Sequence, residues 1–290
     1  MIRVKVGGVP EHFNLAWHLA IEKGWFKEKG IEIEWYDVPG GTGAMCNALR
    51  AGELDLAIAL TEGVVNDIIH GNPSKIVQFF VNSPLRWGIF VHHSSPIENI
   101  AQMQGHKYAI SRYKSGSHLM AYVNASNNHL GIKEDDFVVV GNLDGARKAL
   151  ANNEAQLFMW EKFTTKPLVD AAEFKMIGEC STPWPCFVVA ATNNFIDTHE
   201  QALKEILSIV NLSCLTLKNN SEAPALIAKR YGIKEEDAML WFKELEYAYH
   251  PEMSEQQWDQ IIENLLRFHI INQAPALNQI CFEKHLELVE

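Results

Sequence analysis

The sequence has no cluster of basic residues, no disulfide framework and no long apolar run, and each absence removes a class of function. Its 290 residues carry 25 lysines and arginines against 36 aspartates and glutamates, a net charge of -11. Phosphate backbones and anionic membrane surfaces are bound by grouped cations, so no nucleic-acid partner and no membrane insertion are expected. A local site can still oppose that global field and hold a small anion. The five cysteines, Cys46, Cys180, Cys186, Cys214 and Cys281, are odd in number and match no zinc spacing. They point to a reducing compartment and to no metal; Cys180 and Cys186 would pair only in an exported protein. No stretch is long and apolar enough to cross a bilayer. The chain opens directly on a strand pattern, without a charged segment, apolar segment and cleavage site ahead of it. It therefore reads as cytoplasmic as it stands, or as periplasmic if a leader has been removed. Neither a P-loop nor a G-x-S-x-G elbow occurs. In the turn Gly40-Gly41-Thr42-Gly43, Cys46 stands where a dinucleotide fingerprint needs its third glycine. No cofactor is expected.

What is present is an ordinary globular balance, 47% apolar and 21% charged, in a chain long enough for two cores. Residues 3–8 alternate as a strand does, and Phe13, Ala16, Trp17, Ala20 and Ile21 then fall on one helical face. Gly24 and Gly30 stop that helix. A strand through Val38 leads into the glycine turn and a helix to Arg50. The apolar run 56–60 precedes a helix for which Thr61 is the expected N-cap. This βαβαβα order implies a sheet covered by helices. Strands at 75–81 and 87–91 follow, and then the polar, proline-bearing segment His93-Ser94-Ser95-Pro96.

A second α/β set begins there. Strands are expected at 107–111, 137–140, 157–160 and 174–177, with helices at 118–129 and 144–150. Ser181-Thr182-Pro183-Trp184-Pro185 is a second stiff connector, 187–191 is a buried strand, and everything after Asn194 reads as helical. The interruptions predict one lobe from 1–93 plus 187–290 and another from 94–186. Hinge crossings are expected near 92–96 and 182–187.

The word order of the first lobe carries more. It runs Trp17-His18-Leu19-Ala20, then Lys23-Gly24-Trp25-Phe26-Lys27-Glu28-Lys29-Gly30-Ile31, then the glycine turn, then Leu49-Arg50-Ala51-Gly52-Glu53-Leu54-Asp55. This resembles the type II periplasmic binding protein fold, in particular its nitrate/sulfonate/taurine and thiamine-precursor-like substrate-binding branch. The resemblance covers nearly the whole chain and is strongest from Val4 to Ala59. It implies an α/β fold of two lobes, mixed sheets flanked by helices, and a ligand cleft between the lobes that shuts by hinge closure. It also implies a small-molecule ligand and, for an exported protein, the membrane component of an ABC transporter.

Carried over residue by residue, the resemblance puts ligand contacts at Pro10, Glu11, His12 and Phe13, at Gly41, Thr42 and Gly43, and at Thr61 and Glu62. In the second lobe it puts them at Ser115, Gly116, Ser117 and His118 and at Trp160 and Glu161, and it makes the crossings near Ser94 and Trp184 hinges; Trp184 is a ligand candidate by its own ring. Backbone N–H groups at glycine-rich helix starts hold carboxylates, sulfonates or polar ring edges, although any strand-to-helix turn favours glycine. Glu11, Glu62 and Glu161 either accept hydrogen bonds from an amine or pyrimidine-like edge or are solvated loop carboxylates. His12 either titrates near neutrality or is an ordinary loop histidine. His118 either orients an anion or belongs to a helix start. Trp160 and Trp184 either stack on a planar ligand or pack in a core.

Two functions compete: a protein that binds a small polar or anionic organic molecule without catalysis, and a cytoplasmic enzyme on the same fold acting on a small biosynthetic precursor. Related folds host thiamine-pyrimidine, menaquinone-precursor and hydroxymethylbilane synthesis. The cysteine-rich iron site of the thiamine-pyrimidine group is missing at Ala44-Met45-Cys46-Asn47, which favours the binder.

Overall fold

The computed structural model describes every residue except Pro251, His285 and Glu290. In chain order the first stretch holds β1 (Ile2–Gly8), α1 (Leu15–Glu22), α2 (Trp25–Glu28), β2 (Ile31–Asp37), α3 (Gly41–Arg50), β3 (Leu56–Leu60), α4 (Thr61–Ile69) and β4 (Ser74–Val81). The middle holds β5 (Arg86–His92), β6 (Tyr108–Ile110), α5 (Gly116–Asn127), β7 (Phe137–Val139), α6 (Leu143–Ala151), β8 (Leu157–Glu161), α7 (Lys162–Asp170) and β9 (Phe174–Ser181). The last stretch holds β10 (Phe187–Thr192), α8 (Asn193–Lys218), α9 (Ala223–Tyr231), α10 (Glu235–Glu244), β11 (Glu252–Ser254), α11 (Glu255–Arg267), α12 (Leu277–Ile280) and β12 (Glu287–Val289).

Two compact units result, Met1–Ser83 with Trp184–Glu290 and Pro84–Pro183. The first is built on a sheet ordered β2-β1-β3-β10-β4, in which β1 runs parallel to β2 and β3 while β10 runs antiparallel to β3 and β4. The second sheet is ordered β7-β6-β8-β5-β9, with β6 parallel to β7 and β8, and β5 antiparallel to β8 and β9. The two sheets share one plan. Three strands arise in sequence, a fourth closes the far edge, and one antiparallel strand from elsewhere in the chain fills the gap.

That plan corrects the first expected boundary. The 92–96 segment was to begin the second lobe, yet β5 already pairs with β8 and β9, so the chain enters the second unit at Pro84. Strand β5 is buried along its middle. An apolar run of that kind reads as a central strand, but nothing in it names the sheet that covers it. Strand β9 continues past the expected 177 to Ser181. Helix α7 was not expected, because Thr164, Thr165 and Pro167 dilute its helical pattern. Leu60, not Thr61, occupies the cap position of α4. The region after Asn194 is not wholly helical, since β11 and β12 form a short parallel pair.

Apolar faces close each unit. Trp17 of α1 is fully buried beside Phe26, with ring centroids 6.0 Å apart. In the second unit Phe90, Phe158 and Phe174 pack against Ala146, Ala149 and Leu150 of α6. Each such large apolar side chain contributes about 1.5–3 kcal/mol on burial. The five cysteines are free and buried. Among the described residues no helix is long and apolar enough to cross a membrane, and no group of three or more His, Cys, Asp or Glu residues could hold a metal ion.

Candidate functional site

Each five-stranded sheet has one middle strand, β3 in the first unit and β8 in the second, and each runs straight into a helix. A glutamate stands at both junctions. Glu62 is the second residue of α4, and Glu161 ends β8 and caps α7. Both are buried, with 3% of their surface exposed.

In the first unit the indole Nε1 of Trp184 donates to Glu62 Oε2 at 2.9 Å. Glu62 Oε1 is buried and accepts no hydrogen bond from the described residues. Burial raises the Glu62 pKa from 4.5 to about 7, against the opposing pull of its own backbone N–H and the Trp184 indole. Trp184 is held in place by its neighbours in the chain. Thr61 Oγ1 donates to the Pro185 carbonyl at 2.6 Å and Thr61 N to the Cys186 carbonyl at 3.1 Å. Thr61, Glu62 and the 184–186 segment thus form one bonded group, although that segment lies far along the chain.

The glycine turn sits beside it. Gly41 has φ +69°, the left-handed region that glycine tolerates at least cost. Thr42 Oγ1 accepts from Leu60 N at 3.1 Å, which ties the first turn of α3 to the end of β3. Gly63 permits this approach, because a Cβ there would lie 2.5 Å from Thr42 Cγ2. Gly43 is half-buried in the same turn.

The segment after β1 divides. Pro10 is exposed and Glu11 half-buried, whereas His12 and Phe13 are buried in an aromatic cluster. The His12 ring lies 4.2 Å from Trp241 and 4.9 Å from Phe13. Burial lowers its pKa to about 3, so the imidazole is neutral near pH 7 and does not titrate there.

In the second unit Glu161 accepts from Thr164 N at 2.6 Å, and burial again raises its pKa to about 7 against these capping bonds and the charge of Lys162. Trp160 stacks on Phe158 at 5.4 Å and meets the edge of Trp87 at 6.3 Å. Trp160 keeps partial exposure and Trp184 does not. The Ser115-Gly116-Ser117 turn opens α5. Ser115 Oγ accepts from His118 N at 3.4 Å, Ser117 Oγ accepts from Ser111 N at 3.0 Å, and the two hydroxyls lie 3.1 Å apart. Their side chains therefore build the turn. The His118 ring folds back on the turn before α5: its Nδ1 accepts from Lys114 N at 3.1 Å, and the ring packs against Phe137, Tyr122 and Tyr113. Burial lowers its pKa, with Glu134 opposing.

Three charged residues near Glu161 escaped the sequence reading. Glu179 of β9 accepts from Arg86 Nε at 2.5 Å and from Lys162 Nζ at 2.7 Å, one cation on each oxygen. The available signal was Arg86 at the mouth of an apolar strand, two residues after Pro84. Away from these groups, a cavity of about 510 Å³ opens where β5 ends and β8 begins, beside His92, His106, Asn153 and Gln156.

Solved structures match nearly the whole chain. A protein from Candida albicans, the CA3427 gene product, whose structure is described as defining a family with the generic periplasmic binding protein fold, superposes with a TM-score of 0.89 at 27% identity over 100% of this chain and 99% of its own. The chain has the periplasmic binding protein fold. A Ca3427-like PBP family model matches residues 87–180, which span most of the second unit. The periplasmic aliphatic sulphonate binding protein SsuA from Escherichia coli matches with a TM-score of 0.69 at 14% identity, over 100% of this chain and 94% of its own. The periplasmic nitrate-binding protein NrtA from Synechocystis PCC 6803 matches with a TM-score of 0.72 at 13% identity, over 98% and 87%. At those identities the latter two share the fold alone. No curated protein matches the sequence.

Proposed function

We propose that this chain is a binding protein for a small polar or anionic organic molecule, and that the strand-end groups of its units contact that molecule. The observation that carries the reading is the repeated one: the middle strand of each sheet leads into a helix through a buried carboxyl group. A buried, underbonded carboxyl group is costly unless something uses it, and Glu62 Oε1 has no partner among the described residues. Proteins of this fold that bind sulphonate and nitrate supply the class analogy. The expected contacts in the first unit are Glu11, the Gly41–Gly43 turn and Glu62. Those in the second are the backbone of the Ser115–Ser117 turn, Trp160 and Glu161. An exported form would pass its ligand to the membrane component of an ABC transporter.

A carboxyl group that titrates near neutrality also suits proton transfer, which keeps an enzyme as the second reading. One experiment separates the two. Thermal shift over sulfonates, nitrate, carboxylates, pyrimidines and amino-acid derivatives identifies a ligand, and its mass is then followed during long incubation. A large melting shift with unchanged ligand mass is the expected result. A protein-dependent mass change that vanishes in Glu62→Gln or Glu161→Gln, with affinity kept, would replace the binder by an enzyme.

A further inference from the structure

The polar segment His93-Ser94-Ser95-Pro96, expected as a hinge crossing, lies inside the second unit, and its Ser94, Ser95 and Pro96 line the cavity of about 510 Å³. That volume falls within the range of small-molecule sites, about 300–1,000 Å³. Two further lining residues fix its place: His92 ends β5, and Gln156 stands just before β8. Strand β5 runs antiparallel to β8 and pairs Trp87 with Glu161, so the cavity lies at the opposite end of these strands from Glu161. The span from Gln156 to Glu161 is roughly 16 Å at a strand rise of about 3.3 Å per residue. A small molecule held at Glu161 does not cover that distance.

Bonds within the chain set the walls. Asn153 has φ +57°, in the left-handed region that asparagine adopts more readily than most residues. Gln156 holds it there: Nε2 donates to the Asn153 carbonyl at 3.1 Å and to Asn153 Oδ1 at 3.0 Å, while Oε1 accepts from Lys107 N at 3.0 Å. Asn153 Nδ2 keeps its hydrogens, with no acceptor among the described residues. Across the cavity, His92 Nδ1 accepts from Ser94 N at 3.3 Å. A backbone N–H can only donate, so the proton of the neutral imidazole sits on Nε2. Ser95 Oγ accepts from Ile97 N at 3.3 Å and retains its own hydrogen to donate. His106 lines the same cavity, and neither of its ring nitrogens is hydrogen-bonded among the described residues.

No Asp, Glu, Lys or Arg lines this space, in a chain whose residues are 21% charged. Lys175 reaches Ser95, but its Nζ is held by the Ser95 carbonyl and by Glu98. Buried Ile97, Leu150 and Ala155 supply the apolar surface. An ionised group brought here would lose water without meeting an opposite charge, which is costly. A carbonyl oxygen or ring nitrogen would instead accept from donors already held in position, and such preorganisation favours binding. We propose that this cavity is a second binding site, for a small uncharged molecule that carries carbonyl or ring-nitrogen acceptors on an apolar or planar body. It stands apart from the strand-end groups and does not rest on the binding reading above.

The test titrates the full chain with benzamide, nicotinamide and uracil, and with benzoate and benzamidine as the charged counterparts of benzamide. Calorimetry gives affinity, and the imidazole NMR signals of His92 and His106, assigned through His92→Phe and His106→Phe, give location. At least one uncharged probe should bind with a Kd of about 1 mM or tighter and move both histidine signals. Ala151→Trp places bulk in the cavity from an exposed lining position, and His106→Phe removes two polar atoms while keeping a ring. Each should weaken that probe at least fivefold in a protein that still melts cooperatively, and benzoate and benzamidine should bind at least tenfold more weakly than benzamide. The proposal is overturned if no uncharged probe binds, or if one binds while both histidine signals stay still. Unchanged affinity in both variants, or a charged counterpart that binds here as tightly as benzamide, overturns it equally.

Discussion

The two units follow one topological plan and surround the same position with different chemistry. At the end of the middle strand each places a buried glutamate, and in each the inserted antiparallel strand comes with a partner group. In the first unit that strand is β10, and Trp184 just before it donates a neutral indole N–H to Glu62. In the second it is β5, which begins with Arg86 and brings a cation to Glu179 near Glu161. The lesson is that topology repeats the place and the connecting segment sets the polarity. One unit presents an underbonded carboxyl group and the other a carboxyl group beside two cations.

The chain following β2 and that following β7 carry glycines at the starts of α3 and α6. Both use glycine, for different reasons. In the second unit a Cβ on Gly145 would lie 1.8 Å from the Val140 carbonyl oxygen, a backbone atom that cannot step aside. Gly145→Ala should therefore cost more than about 4 kcal/mol in a urea melt, in the range reserved for severe overpacking. A loss near that of an ordinary surface change would show that the turn can rearrange.

The paired glutamates give the next largest effect. Both have folded-state pKa values raised from 4.5 to about 7. Between those values the folded chain holds protons that the unfolded chain has released, so stability falls as the pH rises through that window and levels off above it. Each glutamate accounts for a loss of up to roughly 3 kcal/mol at pH 8 relative to pH 4. Glu62→Gln and Glu161→Gln should each flatten the slope in urea melts taken across that range. The amide oxygen introduced by Glu161→Gln can still accept from Thr164 N, whereas Glu62→Gln would bury an amide N–H₂ beside Trp184. The net gain at pH 8 should therefore be larger at position 161. Equal gains would mean that the two carboxyl groups are environmentally alike.

Trp184→Phe tests the partner rather than the carboxyl group. Removing the indole N–H leaves Glu62 Oε2 without its described side-chain donor, a cost of about 2 kcal/mol when the carboxylate is ionised. The loss should be smaller at pH 5, where Glu62 is protonated. At Glu161 the donor Thr164 N belongs to the backbone, so that bond is not removed by a side-chain change. A pH-independent loss would make Trp184 a packing residue only.

The smallest effect belongs to Gly41. Its φ of +69° is strained for an L side chain, yet nothing lies within 4 Å of an added Cβ. Gly41→Ala should cost about 1 kcal/mol from backbone conformation alone. A ligand affinity that fell much further than stability would mark the turn as a contact rather than a bend.

Much of the fold was legible because its signals are local. The alternation of residues 3–8, the apolar runs in β3 and β10 and the glycines at Gly24 and Gly41 report burial and turns within a few residues. The candidate site was legible only as positions. Glu62, Glu161 and the two glycine or serine turns follow strands whose ends could be counted. His12 and His118 could not be read the same way, because aromatic neighbours, Trp241 for the first and Phe137 and Tyr122 for the second, shelter them, and burial lowers the pKa of each. Helix α7 was hidden by its own composition.

By itself the sequence determined most of the order of strands and helices, the presence of two α/β sets and the ends of β3 and β8, but not α7, the β11–β12 pair or the end of β9. Those follow from periodicity and from glycine and proline geometry, which act over one or two turns of chain. Only tertiary structure decided which sheet β5 would complete, that Glu62 would meet Trp184 across 122 positions, and that Glu179 would meet Arg86 across 93. Sheet order sets such pairings, and the protonation of the buried carboxyl groups follows from the water that packing removes. No stretch of sequence carries that quantity, because desolvation belongs to the neighbours and not to the residue.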